Sequence, residues 1–130
     1  MIEKKHRIED ALEAVKAAQM DGIVAGGGVA LLRALPKKNS DPLEGIIYEA
    51  VKEPIRQMAR NAGESPDLIL DRVMRAKGNK GYNFATGEMC DLFEAGVIDP
   101  VRVTKTALQM ATSAAGTLLT TGYAIVEEGE

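Results

Sequence analysis

Apolar and polar residues alternate with the period of an α-helix over most of the chain. From Glu3 to about Met20, apolar residues recur on one face and charged residues occupy the others. Val29 to Leu35 is apolar apart from Arg33, and this composition predicts a short buried helix. The pattern therefore predicts a mainly α-helical protein.

Two further helices each have a proline close to their first residue. Asp41 and Pro42 provide an N-cap and a first-turn proline. Pro54 is expected to break or kink this helix near Glu53, because proline lacks a backbone N–H and clashes with the preceding turn. Ser65-Pro66-Asp67 predicts the start of the next helix. The predicted buried face of the helix that Asp41 starts comprises Ile46, Ile47, Ala50, Val51, Ile55, Met58 and Ala59.

The helical period fails between Gly78 and Asp99. Gly81–Ala85 and Gly96–Ile98 are predicted to be short strands that could pair with each other as a small β-hairpin. Between them, Thr86-Gly87 predicts a turn and Met89–Ala95 a helical turn.

The last predicted helix is also the longest. Asp99-Pro100 caps it, it runs to about Leu119, and Tyr123–Val126 after it is predicted to be a short C-terminal strand with no evident partner in the chain. The residues predicted to face inward are Val103, Ala107, Met110, Ala111, Ala114 and Leu118.

Three consecutive glycines, Gly26 to Gly28, follow the apolar link Ile23–Ala25 and open the short apolar helix. Glycine loses much backbone entropy there, so the triplet indicates either a positive φ or close approach of another group. N–H groups without side chains at a helix start can hold an anion such as phosphate, but a tight turn between two packed elements explains the same triplet. Neither the P-loop nor the dinucleotide-binding fingerprint is present. Both interpretations stay open from these residues alone.

The composition excludes several classes of protein. A formal net charge of -3 gives no basic field, so nucleic acid is not an expected partner. No apolar run has membrane-spanning length, and the first residues lack the apolar core of a signal peptide, so no membrane partner is expected. Cys90 is the only cysteine, which rules out an internal disulfide and fits a reducing, cytoplasmic compartment. No metal ligand is assigned.

The order of several short motifs resembles the GroEL-type (group I) 60 kDa chaperonins over essentially the whole chain. The motifs are Arg7–Leu12, Ala25–Leu31, Glu53–Gln57, Gly81–Asn83, Gly96–Pro100 and Val103–Gln109. The resemblance implies a mainly α, multi-helical bundle like the equatorial domain of GroEL, with a small β-hairpin and a short C-terminal strand. Residues 1–22 correspond to an intermediate-domain helix, and residues 23–130 to the C-terminal half of the equatorial, ATP-binding domain. The apical domain and the N-terminal phosphate- and metal-binding loop have no counterpart, so we interpret the chain as a fragment.

The resemblance implies five nucleotide-binding residues. Gly27 corresponds to the backbone position beside the nucleotide. Asn83 and Phe84 correspond to the pair that flanks the adenine, although family members usually have a small residue where Phe84 stands. Val97 would line the base pocket, and Asp99 would accept hydrogen bonds from the ribose hydroxyls. From the residues alone, Asp99 is an N-cap.

The resemblance also implies a catalytic residue, Asp10. Its counterpart lies on the intermediate-domain helix, which swings over the nucleotide and helps to orient the attacking water. Phosphoryl transfer requires such a positioned water and charge neutralisation. From the residues alone, Asp10 is a solvated acid on a helix face.

Two functions of different class follow. The first is a fragment of an ATP-dependent chaperonin that assists protein folding. The resemblance implies ATP and Mg²⁺ as cofactors of the complete protein. It also implies that unfolded proteins and a co-chaperonin bind the missing domains. The fragment would contribute part of the nucleotide pocket and contacts between subunits. Alone, it is expected to be inactive and to bind nucleotide weakly at best or not at all. The alternative is a non-enzymatic helical oligomerisation module. A half-domain exposes apolar faces that the rest of the protein would cover, so we expect a homo-oligomer or a rearranged packing rather than a monomer.

Overall fold

A computed structural model describes residues 2–35 and 42–125. These residues form helices and short strands in the order α1 Ile2–Asp21, β1 Ile23–Ala25, α2 Val29–Ala34, α3 Pro42–Ala50, α4 Glu53–Asn61, α5 Pro66–Arg75, β2 Lys80–Asn83, β3 Glu88–Asp91, β4 Ile98–Pro100 and α6 Val101–Thr120. The mainly helical architecture that the sequence predicts is confirmed.

The proline residues set the helix boundaries. The predicted break near Glu53 is confirmed, because α3 ends at Ala50 and α4 starts at Glu53 after a two-residue turn. Pro54 lies in the first turn of α4, where its missing N–H removes no helical hydrogen bond. Ser65 is the N-cap residue of α5 and Pro66 begins that helix, as predicted.

The strands pair differently from the prediction. β2 and β3 form an antiparallel hairpin, and β1 pairs antiparallel with β4. The predicted link Ile23–Ala25 is therefore a strand, and Gly81–Ala85 does not pair with Gly96–Ile98. The helical turn predicted over Met89–Ala95 is also wrong in its first half, because a tight turn after Asn83 returns the chain as β3.

The hydrophobic core lies between α2, α4, α5 and the β2–β3 hairpin. Its members lie far apart in the sequence, and the tertiary contacts among them exclude water from one contiguous cluster. The buried residues of this cluster are Ala25, Val29, Leu32, Ile55, Ala59, Ile69, Leu70, Val73, Tyr82 and Leu92. Val29 and Leu32 confirm that α2 buries one face, whereas Ala34 at its end is exposed.

The longest helices lie outside this core. α6 packs along α1 and buries none of its own residues. The prediction that Val103, Ala107, Met110, Ala111, Ala114 and Leu118 face inward is therefore wrong for the described residues. Within α3, Ile46 is 68% exposed and Ile47 61%, so these two also depart from the prediction, and Ala50 is exposed. An apolar stripe is buried only where a partner covers it.

The predicted C-terminal strand is not found in the described residues. Tyr123 to Ile125 form no strand and are fully exposed, and Val126 lies outside the described residues. Asp41, the predicted N-cap of α3, also lies outside them. No described helix combines the length and apolar character that crossing a bilayer requires.

Candidate functional site

Gly26 to Gly28, called the glycine turn below, connect β1 to α2. The N–H of Gly26 donates a 2.9 Å hydrogen bond to the carbonyl oxygen of Val97. A Cβ on Gly26 would lie 3.1 Å from that oxygen, so a larger residue would push the two backbones apart. The close approach that the triplet indicates therefore occurs at Gly26.

Gly27 and Gly28 provide the positive φ that the triplet also indicates. Their φ angles are +61° and +75°, a region that favours glycine. A Cβ on Gly27 would lie 3.6 Å from the carbonyl oxygen of Tyr82, the residue before Asn83. A Cβ on Gly28 would lie 3.0 Å from the Cε atom of Met58. The glycine turn therefore lies among β2, α4 and the segment before β4.

Fewer N–H groups of the glycine turn are available to an anion than the sequence suggests. The N–H of Gly26 is bonded to Val97, and the N–H of Val29 donates to the carbonyl oxygen of Gly26 at 3.1 Å. The N–H groups of Gly27 and Gly28 have no backbone acceptor within residues 2–35 and 42–125. These two groups are the donors that an anion would contact.

Asn83 ends β2 and shapes the turn that follows. Its Oδ1 atom accepts a 3.0 Å hydrogen bond from the N–H of Ala85, and its carbonyl oxygen accepts one of 2.8 Å from the N–H of Gly87. The Nδ2 group donates no hydrogen bond to another described residue, so Asn83 keeps donor capacity for a ligand.

The ring of Phe84 is half-buried and rests on Tyr82. The two ring centroids lie 5.0 Å apart with the planes at 73°, an edge-to-face contact. The Tyr82 hydroxyl donates a 3.1 Å hydrogen bond to Oε1 of Glu64, in the loop between α4 and α5. Burial raises the pKa of Tyr82, and the bond to Glu64 raises it further, so the hydroxyl stays a donor at neutral pH. Nothing in the sequence indicates this link, since no local pattern connects a strand to a loop 18 residues earlier.

Asp99 is half-buried in β4, opposite Val24 of β1. Pro100 is the N-cap residue of α6, and no side chain caps its first turn. The N–H of Val101 instead donates to the carbonyl oxygen of Gly22 at 3.1 Å. The prediction that Asp99 caps the last helix is therefore wrong, and its carboxylate is not occupied by helix capping.

Of the six predicted site residues, Asp10 lies apart from the elements that carry the other five. The glycine turn, which contains Gly27, contacts the strand that carries Asn83 and the segment that runs from Val97 into β4. Asp10 is exposed on α1, about 16 Å along the helix axis from the last residue of that helix. No hydrogen bond or ion pair between described residues joins Asp10 to the other five.

The junction of α1 and α6 is held by an ion pair. Nε of Arg102 donates to Oδ2 of Asp21 at 2.7 Å, and Nη2 donates to Oδ1 at 3.4 Å. The hydrogen bond from Arg102 holds the pKa of Asp21 below its ordinary value, although partial burial opposes the effect. The ion pair therefore favours a charged Asp21 at the end of the helix that carries Asp10.

Comparison with known proteins gives a consistent result. The sequence profile of the TCP-1/cpn60 chaperonin family matches residues 1–129. Among solved structures, the chain is similar to the open-state monomer of a group II chaperonin from Methanococcoides burtonii, with 29% sequence identity and a TM-score of 0.75. The match covers 90% of this chain and 33% of that one, so this chain spans about a third of the length of that chaperonin. The predicted fold class, a mainly α fragment like a chaperonin equatorial domain, is confirmed.

Proposed function

The chain belongs to the TCP-1/cpn60 chaperonin family, and we propose that it is part of an ATP-dependent chaperonin that assists protein folding. The observation that carries the proposal is the hydrogen bond from Gly26 to the carbonyl oxygen of Val97. This bond holds the glycine turn beside the segment that leads to Asp99. We propose that one nucleotide contacts the glycine turn and the carboxylate of Asp99 together.

On this proposal, residues 23–130 supply the C-terminal half of an equatorial ATP-binding domain. The N–H of Gly27 contacts a phosphate group, and the Nδ2 group of Asn83 donates to the adenine. The ring of Phe84 lies against the base, and Val97 lines the same pocket. The carboxylate of Asp99 accepts hydrogen bonds from the ribose hydroxyls.

Asp10 is the catalytic residue of the proposal, and residues 1–22 are the intermediate-domain helix. A carboxylate in this role orients the attacking water, and Mg²⁺ neutralises the phosphate charge. The exposure of Asp10 supports the role, because the carboxylate is available to a nucleotide that α1 approaches.

ATP and Mg²⁺ are the cofactors of the complete chaperonin. The loop that supplies most of the phosphate and metal ligands in the family has no counterpart in this sequence. We therefore propose that the chain alone binds ATP weakly and does not hydrolyse it.

Complementation tests this proposal. The chain is mixed with a group I chaperonin polypeptide that lacks the corresponding C-terminal segment, and ATP hydrolysis is measured with and without Mg²⁺. We expect Mg²⁺-dependent hydrolysis in the mixture only. Asp10→Ala should lower it by at least about 100-fold, whereas Glu9→Ala, on the same exposed helix, should leave it unchanged. Turnover by the chain alone would contradict its inactivity, and a mixture that co-sediments without hydrolysis would contradict the shared pocket.

Within the family, we propose the group I assignment from the motif resemblance alone. The similar solved structure is a group II chaperonin, so the expectation of a separate co-chaperonin depends on this assignment. The same mixing experiment with a truncated group II polypeptide tests it. Recovery with the group I partner alone supports the assignment, and recovery with the group II partner alone contradicts it. The co-chaperonin and unfolded proteins would bind domains outside this sequence, and a cytoplasmic location belongs to the same proposal.

The oligomerisation module remains a second candidate because of the end of α6 and the residues after it. Leu118, Leu119, Tyr123 and Ile125 are each at least 75% exposed, and large exposed apolar surfaces promote association. A homo-oligomer in sedimentation velocity, with no change on addition of an ATP analogue, would favour this candidate. A monomer that binds no hydrophobic dye would contradict it.

A further inference from the structure

Arg33 is a charged residue in the apolar helix α2, and its guanidinium group binds three backbone carbonyl oxygens. Nη2 donates to the carbonyl oxygen of Val73 at 2.9 Å and to that of Lys80 at 3.1 Å. Nε donates to the carbonyl oxygen of Gly78 at 3.0 Å. The sequence alone shows the charge of Arg33 within an apolar helix but indicates no role for it.

The three carbonyl groups belong to three consecutive parts of the chain. Val73 lies in the last turn of α5, where carbonyl groups have no helical partner and a cation is favourable. Gly78 lies in the loop after that helix, with φ +63°. Lys80 is the first residue of β2. One planar guanidinium therefore fixes the end of α5, the loop and the start of β2 relative to α2.

A second contact of α2 holds the same strand. Val29 and Arg33 are four residues apart and share one face of α2. A Cβ on Gly81 would lie 2.6 Å from the Cγ2 atom of Val29 and 2.6 Å from the Cδ1 atom of Leu92. The strand is therefore held at Gly81 by packing and at Lys80 by the hydrogen bond from Arg33.

We propose that Arg33 is a positioning residue, which sets the distance between the glycine turn and Asn83. α2 starts at Val29, directly after the glycine turn, and β2 ends at Asn83, so a bond between the two elements fixes both parts of the candidate site. A lysine has one ammonium group and lacks the planar arrangement that reaches three carbonyl groups in fixed directions. The consequence for nucleotide binding rests on the proposed function, whereas the geometric part does not.

Amide hydrogen exchange on the full chain tests the geometric part. Arg33→Met keeps an unbranched apolar stem and removes the donors. Arg33→Lys keeps the charge. Arg75→Met is the control because Arg75 is exposed and bonds Asp71 on its own helix. Arg33→Met should raise exchange in residues 80–84 by about tenfold or more, with α4 unchanged and Arg33→Lys intermediate. Equal acceleration throughout the chain, or a pattern like that of Arg75→Met, would overturn the proposal. If Arg33→Met fails to fold, the exchange rates of Arg33→Lys decide the question. An increase confined to residues 26–28 and 80–84 supports the proposal, and an increase spread over the chain overturns it.

Titration with a non-hydrolysable ATP analogue tests the consequence at a temperature where all variants are folded. Arg33→Met should weaken binding by about fivefold or more, and Arg33→Lys should restore part of the loss, with Arg75→Met unchanged. Equal affinity of Arg33→Met and the wild-type chain would overturn the positioning role. If the wild-type chain shows no binding, the proposed function fails, and the exchange data still decide the role of Arg33.

Discussion

At Gly81, the backbone of β2 lies against the side chain of Val29, and the Cγ2 atom of Val29 occupies the space where a side chain at Gly81 would begin. Val29 is fully buried, so it has no room to move aside. This contact joins the first helix turn after the glycine turn to the strand that ends at Asn83. The distance between these two parts of the candidate site therefore depends on the absence of a Cβ at Gly81.

Gly81→Ala should destabilise the fold by about 1–3 kcal/mol, because the new methyl group overpacks the core. Urea denaturation measures the change. Gly116→Ala is the control, since Gly116 lies within α6 with nothing within 4 Å of its Cβ position, and it should stabilise by roughly 0.5–1 kcal/mol. Similar stability changes for the two variants would show that the contact at Gly81 is looser than described.

Two isoleucines predicted to share one buried face should differ when truncated. Ile55 is 1% exposed, and Ile55→Ala should cost about 2–5 kcal/mol in lost burial and cavity formation. Ile46 is 68% exposed, so Ile46→Ala should change the free energy of unfolding by less than about 0.5 kcal/mol. The measurement is the unfolding free energy in urea. A large loss at Ile46 would mean that a partner covers α3 in solution.

The ion pair of Asp21 and Arg102 predicts an acid-dependent loss of stability. The pKa of Asp21 is held below its ordinary value of 3.8, mainly by the hydrogen bond from Arg102. A lowered pKa in the folded state adds stability above pH 3.8, and this stability is lost as the pH falls through the lowered pKa.

Thermal unfolding of the wild-type chain and of Asp21→Asn between pH 7 and pH 2 measures this effect. The wild-type chain should have the higher Tm at neutral pH, and the difference should shrink in acid. Arg102→Met should also lower the Tm at neutral pH. The double variant should have nearly the same Tm as Asp21→Asn alone, because both substitutions remove the same interaction. A Tm difference that does not change with pH would contradict the assignment.

The sequence predicts those features of the fold that depend on neighbouring residues. Pro54 lacks a backbone N–H, so it is tolerated in the first turn of α4 and marks the boundary with α3. Ser65 has the extended backbone of an N-cap residue directly before α5. Both effects act within one helical turn. The glycine turn is also local, because positive φ at Gly27 and Gly28 follows from the residue type.

Features that depend on distant partners could not be predicted. β1 pairs with β4 across more than seventy residues, and nothing in Ile23–Ala25 indicates that strand as its partner. The apolar stripe of α6 has helical spacing, but spacing does not reveal which element covers it, and the described residues leave Met110 and Leu118 exposed. In the candidate site, the roles proposed for Gly27 and Asn83 rest on the family resemblance, whereas the contacts of Arg33 are visible only in the structure.

The central claim is that the glycine turn, Asn83 and Asp99 form one nucleotide-binding surface. NMR titration of the isotopically labelled chain with Mg²⁺ and an ATP analogue tests it most directly. Amide shifts should change together in residues 26–28, 83–84 and 97–99 and should leave the C-terminal half of α6 unaffected. The absence of any change at saturating analogue, or changes confined to other segments, would contradict the claim.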